Sequence, residues 1–336
     1  MKRRILLSAT LAASMVGGIA PYASAEGDYI LATASTGGTY YPVGVAISTL
    51  TKVKLQPSQK IGMSAINSAG SGENLRLIRE READFAILQG LYGYYGYNGV
   101  GPVEKDGPQT HLRSVSMLWQ NVEHFIVQNQ YASTGTVSDI VALGDKALAM
   151  GRQNSGTIGS NTAIMKNLGL DLTDGVELVY GGYGPSADAL QNGQVAGVGI
   201  PAGIPVGAIT KLMASAGDDV TLLTMTPEQQ AQADGGFNLW TPFTIPAGTY
   251  PGQDQDVQTI AQPNFLGTHA DVDAEDVYKI TKTIYENLPF LNSIHPATKA
   301  MALEKAIAGL PAPLHPGAAR YYQEQGLNIP ARLIAQ

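Results

Sequence analysis

The sequence predicts an α/β protein of two lobes, each a mostly parallel sheet with flanking helices, with crossover strands joining the lobes. Three observations carry this. Extended apolar runs alternate with stretches of helical spacing along most of the chain, the pattern of parallel sheets covered by helices. That series pauses at a pair of strands near residue 124 and then starts afresh. A length of 336 residues suits two compact units better than one.

The elements follow in order. Tyr29–Ala34 is an extended apolar run, and a helix with Val43, Ile47 and Leu50 at helical spacing comes after a glycine-rich turn. Ile61–Ile66 reads as the next strand, followed by a helix carrying Leu75 and Ile78. Phe85–Leu88 is uninterrupted apolar sequence, as expected of a strand covered on both faces. Gly90–Gly107, rich in glycine and tyrosine, reads as a loop. Val115–Leu118 and His124–Val127 read as strands flanking a crossover.

A second series then begins. It runs through a strand at Ala147–Met150, a helix with Ile158, Met165 and Leu168, a strand at Val176–Tyr180, a helix near Ser186–Gln191, and a strand at Val195–Ile200. Pro242, Pro246 and Pro251 mark an irregular stretch before a strand at Val257–Ala261. The tail is helical: Asp273 is placed to cap a helix whose apolar face is Val277, Ile280, Ile284 and Leu288. The expected boundaries are residues 26–125 with 257–336 for the first lobe and 126–256 for the second.

Residues 1–25 have the features of a secretory leader. Lys2, Arg3 and Arg4 precede an apolar, small-residue stretch, and Ala23-Ser24-Ala25 fits the cleavage rule, making Glu26 the first mature residue. A periplasmic protein is therefore expected, more acidic still once those three basic residues are gone. The whole chain carries 28 acidic against 21 basic side chains, which argues against a nucleic-acid partner. The absence of cysteine excludes a disulfide framework, a thiol nucleophile, Cys-ligated metal and a lipidated N-terminal cysteine. Five scattered histidines and two acidic clusters lack metal-ligand spacing, so no metal, cofactor or catalytic residue is expected.

Three turns carry the chemistry. Ser35-Thr36-Gly37-Gly38-Thr39-Tyr40-Tyr41-Pro42 joins the first strand to the first helix, at the end of an open sheet where ligands bind. Glycines there let backbone N–H groups approach a ligand, and the helix start favours an anion. Taken alone, such a turn reads first as an ordinary strand–helix connection with threonine as the cap. Similar turns recur at Asn67–Asn74 and Arg152–Thr157, one in each lobe, so that together they can oppose one another across a cleft. Arg152 adds a cation or is an exposed surface side chain. Glu73 receives a ligand ammonium or simply sits in the first turn of its helix.

These segments resemble those of TAXI-type solute receptors, the extracytoplasmic binding subunits of one branch of TRAP transporters. The similar segments are Gly37-Gly38-Thr39-Tyr40-Tyr41-Pro42, Ser71–Ile78, Glu82–Gln89, Asn154-Ser155-Gly156-Thr157 and Ile245–Asp254, in order over nearly the whole mature chain. Gly72 departs from the family's pattern, which often has Val in that slot, and so does Arg152-Gln153-Asn154 ahead of Ser155. The resemblance implies a type II periplasmic-binding-protein-like fold. It also implies a monomeric receptor, without catalysis, that closes on a glutamate-like amino acid or a 2-oxo or dicarboxylic acid and delivers it to a TRAP permease. By the same analogy Thr39, Tyr40, Glu73, Asn74, Gln89, Asn154, Ser155 and Thr157, with Arg152, are the candidate ligand-binding residues. A sensor docking on a membrane signalling partner shares this fold. An exported hydrolase would need a base and an orienting acid beside a turn serine, and neither is identifiable.

Overall fold

A computed structural model of the chain describes residues 27–335; the expected leader lies outside them. The first sheet begins with β1 (Gly27–Ala32), α1 (Tyr40–Gln59), β2 (Ile61–Ile66), α2 (Ser71–Arg79) and β3 (Phe85–Gln89). β1 lies between β2 and β3 and pairs in parallel with both. All five residues of β3 are buried, as a strand with helices on both faces requires. The apolar stripe of α1, Val43, Ile47 and Leu50, is likewise buried.

The stretch expected to be a loop after β3 is instead a helix, α3 (Gly90–Asn98), followed by a 3-10 turn at Gly101–Asp106. Glycine weakens an isolated helix by about 1 kcal/mol relative to alanine. Here packing overrides that preference. A side chain at Gly93 would lie within 2.6 Å of Phe265 and Pro311, so the missing Cβ is what lets α3 sit down on the sheet. Tyr92 and Tyr95 are both buried, Tyr92 beside Gly72 and Gly159 and Tyr95 beside Gly101 and Phe237.

β4 (Leu112–Val122) leads through only Glu123 and His124 into β5 (Phe125–Gln128), an inner strand of the second sheet. Around it come α4 (Ser138–Val141), β6 (Leu148–Ala149), α5 (Gly156–Leu168), α6 (Tyr183–Gln191), β7 (Gly197–Gly199), α7 (Gly207–Ala216) and β8 (Val220–Leu222). The strand order is β6-β7-β5-β8. The strand expected at Val176–Tyr180 reduces to one bridge, Leu148 with Leu178, because β6 is itself only two residues long. After α8 (Pro227–Asp234), the proline-marked stretch begins not as an irregular segment but as β9 (Thr241–Ile245). Pro242 is accommodated because β9 is an outer strand with a single neighbour.

The return is made by β10 (Val257–His269). Its first residues pair with β9, and the rest inserts between β3 and β4, giving the order β2-β1-β3-β10-β4. α9 (Ala274–Glu286), α10 (Leu288–Ile294) and α11 (Pro316–Glu324) close the first lobe. Asp273 caps α9, its carboxylate accepting from the N–H groups of Glu275 and Asp276. The two-sheet α/β architecture is the expected one, but the sheets are mixed rather than mostly parallel. Each antiparallel pairing involves β5 or β10, the strands that leave and re-enter the first lobe.

The two crossovers lie side by side. Glu123 N–H donates to Ile260 O at 2.9 Å, and Thr259 Oγ1 donates to Glu123 O at 2.8 Å. The Glu123 side chain is fully buried and accepts a hydrogen bond from Trp240 Nε1 at 3.1 Å. Burial pushes its carboxyl up to about 8, against the pull of Trp240 and Gln262. His124, also buried, lies within hydrogen-bond distance of Val122 O and Ile200 O through Nδ1, and of the Tyr250 hydroxyl through Nε2. Burial lowers it to about 4, so it is neutral at physiological pH.

Candidate functional site

Four helices start around one cavity, two from each lobe. α1 presents Gly38, Thr39 and Tyr40, α2 presents Gly70 and Ser71, α5 presents Gly156 and Thr157, and α6 presents Gly182 and Tyr183. α1 and α2 follow β1 and β2, so their starts lie at the carboxyl ends of strands, where an open α/β sheet leaves a crevice. Free N–H groups and the positive end of each helix dipole make such starts favourable for an anion. Among the described residues Arg152 supplies the one cation in the lining, and no carboxylate contributes to it. The cavity volume is about 30 Å³, room for two or three water-sized groups at about 10–15 Å³ each.

The inner wall is polar and buried. The Tyr40 hydroxyl donates to Asn264 Oδ1, and its ring meets Trp119 edge-on, 6.1 Å between centroids. Desolvation holds the Tyr40 phenol well above its ordinary value, so it stays protonated. Ser71 Oγ accepts from the Gln89 N–H at 3.0 Å. Gln89 Oε1 and Asn121 Nδ2 are buried and have no partner. Opposite, Tyr183 bridges Thr157 Oγ1 at 2.9 Å and donates to Pro201 O.

Of the residues expected from the sequence, the structure brings Thr39, Tyr40, Gln89, Arg152 and Thr157 to this cavity. Thr39 is already engaged, its hydroxyl donating across the cleft to Gly203 O at 2.8 Å. The other four stand elsewhere. Asn74 is fully buried and ties α2 to the end of β1 and the middle of β3, donating to Thr33 O and Ile87 O. Ser155 caps α5, accepting from Ile158 N–H at 3.1 Å. Glu73 does not point into the cavity; its carboxylate accepts from Ala69 N–H at 2.6 Å and, with Asn154, lines an outer polar cavity that adjoins the first at Ala69, Arg152 and Gly181.

The lobes touch along this outer rim. Glu73 N–H donates to Asn154 O at 2.9 Å, and a Cβ on Gly72 would stand 2.6 Å from that same oxygen. The two places where the sequence departs from the TAXI pattern therefore meet each other. Deeper in, Gly156 packs against Gln89, where a Cβ would lie 2.4 Å from Oε1. The Ile245–Asp254 segment stays out of the cavity; it folds as a turn whose Tyr250 hydroxyl reaches His124 in the crossover.

Sequence reasoning missed Tyr183 and Asn121. Gly181-Gly182-Tyr183-Gly184-Pro185 repeats the glycine pair, tyrosine and proline of Gly37–Pro42, a signal that was available. Asn121 sits in a long strand with nothing beside it to mark it.

A model of the NMT1-like family matches residues 31–326. The chain belongs to that family. Among solved structures, this NMT1-like protein is similar to the MatC protein of Rhodopseudomonas palustris with bound malate, at 14% identity and a TM-score of 0.56, covering 88% of this chain and 98% of that one. A second likeness is to a structure described as a periplasmic transporter, at 12% identity and a TM-score of 0.52, covering 89% and 92%. A third is to a binding-protein component of an ABC phosphonate transporter from Pseudomonas aeruginosa, at 8% identity and 0.50, covering 80% and 78%. At these identities the likeness is one of fold. Among the described residues no helix is long and apolar enough to cross a membrane.

Proposed function

We propose that this NMT1-like protein is an extracytoplasmic receptor that closes on a small carboxylate and delivers it to a TRAP-type permease. The observation that carries this reading is the cavity itself: four helix starts from two lobes converge on it, with one arginine and no acid in its lining among the described residues. A carboxylate accepts several backbone N–H groups there without a counter-charge, and Arg152 strengthens the attraction at the rim. A phosphate ester, with up to two charges, is a poorer match to a single cation. The malate bound by the MatC neighbour is a ligand of the same chemical kind. The lining as described holds hydroxyls without a side-chain base beside them, which favours binding over turnover.

The lobes would move about the paired crossovers, with residues 26–125 and 257–336 on one side and 126–256 on the other. The leader at residues 1–25 would export the chain, and intact mass of periplasmic protein would start at Glu26. The test of the binding reading is calorimetry and thermal shift with carboxylic acids, amino acids, phosphate esters and sugars, since a ligand of the folded state raises its apparent stability. A shift with sugars or phosphate esters and none with carboxylates refutes the reading. The permease partner is tested by transport in vesicles that carry the TRAP membrane subunits, with and without this protein.

A further inference from the structure

The outer cavity lies on the way into the cleft. The inner cavity sits against the crossovers, since Asn121, just ahead of Glu123, lines it. The outer one adjoins it at Ala69, Arg152 and Gly181, where the lobes meet along the rim, and offers about 660 Å³. Its walls come from both lobes: α2 and the 3-10 turn at Gly101–Asp106 from the first, Gln153, Asn154 and Tyr180 from the second. With the crossovers holding the back of the cleft, the lobes part at this rim, so a ligand passes these walls to reach the inner cavity.

The charges in those walls do not cancel. Both acids of the lining are engaged: Asp106 pairs with Arg79 at 2.6 Å, and Glu73 accepts from Ala69 N–H at 2.6 Å with Arg76 3.9 Å away. Arg76 is also held by Glu80 and Glu82, and Arg79 by Glu80. Glu104, next to Lys105 in the chain, is exposed and does not line the cavity. Among the described residues this leaves Lys105 of the first lobe and Arg152 of the second without an acidic partner. Arg152 only reaches across to Ser68 O, at 3.4 Å. A third group is unspent. Tyr92 is 4% exposed and lines the cavity beside Gly72, yet its hydroxyl has no hydrogen-bond partner and is not sealed from solvent. Burial raises that phenol above its ordinary value, so it keeps its proton to donate. The chain as a whole, with 28 acidic against 21 basic side chains, repels an anion, so the local field at the mouth decides whether one enters.

We propose that the outer cavity is a capture subsite for the carboxylate, where Lys105 and Arg152 draw it in and the Tyr92 hydroxyl donates to it before the lobes close. Arg152 lines both cavities, so the anion keeps one cation beside it as it moves inward and never meets the cost of an unpaired charge. The subsite rests on the reading of the inner cavity as the binding site for a small carboxylate.

The experiment is stopped-flow fluorescence on the full mature chain at low salt, with malate, 2-oxoglutarate and glutamate as probes. Trp119, which meets Tyr40 in the inner wall, is the reporter. The observed rate should climb with acid concentration toward a plateau, its initial slope reporting capture and the plateau closure. Lys105→Glu should lower the initial slope about tenfold and leave the plateau unchanged. Tyr92→Phe, which keeps the buried ring, should lower the slope about threefold, again at constant plateau. Lys54→Glu, the same change of charge in the groove between α1 and α9, should move neither. In about 1 M salt, where screening acts within about 3 Å, the Lys105→Glu effect should vanish and the Tyr92→Phe effect persist. Binding whose initial slope is unmoved by Lys105→Glu or by Tyr92→Phe, or falls as far with Lys54→Glu, overturns the capture subsite and leaves a carboxylate receptor in place. No response to any of the three acids would sink the carboxylate reading itself.

Discussion

Replacing Glu123 with Gln should make the protein markedly less sensitive to alkaline pH. Glu123 is wholly buried in the first crossover, with Trp240 donating to it and no cation among the groups that shift it. Below pH 4.5 the carboxyl is neutral in the folded and unfolded chains alike. Between there and about pH 8 the folded chain keeps a proton that the unfolded chain has shed, so stability falls as pH rises. Above about 8 the folded chain carries a buried charge and the loss is complete. The interval from 4.5 to about 8 corresponds to at most about 5 kcal/mol. For roughly 310 residues, with an unfolding entropy near 2.1 cal/mol/K per residue, that is about 8 °C in Tm. Gln keeps an acceptor for Trp240 and has no charge to bury. Melting curves of both proteins should nearly coincide at pH 5 and separate progressively by pH 9, the variant being the more stable. Comparing the two at each pH removes the contribution of His124, which titrates in both. A gap that stays constant between pH 5 and 9 would refute the reasoning.

Other expectations are more local. Gly156→Ala should weaken the ligand by more than tenfold with little change in the melting temperature without ligand, because its Cβ meets Gln89 only where the lobes approach; calorimetry beside a thermal melt separates the two effects. Ser155→Ala removes the cap of α5 and should cost about 1 kcal/mol of stability by denaturant titration, with the order of ligand preference unchanged. Glu73→Gln should leave amino-acid affinity within about twofold, since that carboxylate faces Ala69 N–H and the outer cavity; a tenfold loss would return Glu73 to the site.

The legible parts of this fold are those where local pattern and tertiary environment agree. β3 and α1 show themselves because continuous burial and a helical stripe leave direct marks on residue choice. α3 was not legible: glycine and tyrosine signal a loop, and only contact with Phe265 and Pro311 makes glycine the fitting residue there. The full length of β10 was hidden too, because Gln262 and Asn264 interrupt its apolar run. In the site, turn chemistry pointed to the helix starts but not to the direction of their side chains. Asn74 and Glu73 are adjacent on α2, yet one is spent on backbone carbonyls and the other on the outer rim. Sequence spacing carries no information on that partition.

The meeting of Gly72 with Asn154 constrains how this protein can be varied. One partner contributes a carbonyl oxygen and the other an absence, so neither position can be judged by its own neighbours in sequence. A graft that brings a valine to residue 72 from a relative would prop the jaws apart unless the opposing loop were exchanged as well. Single exchanges there should therefore look damaging, and the paired exchange should recover what each alone loses. Loop swaps meant to alter what is captured have to treat these two segments, some eighty residues apart in the chain, as one part.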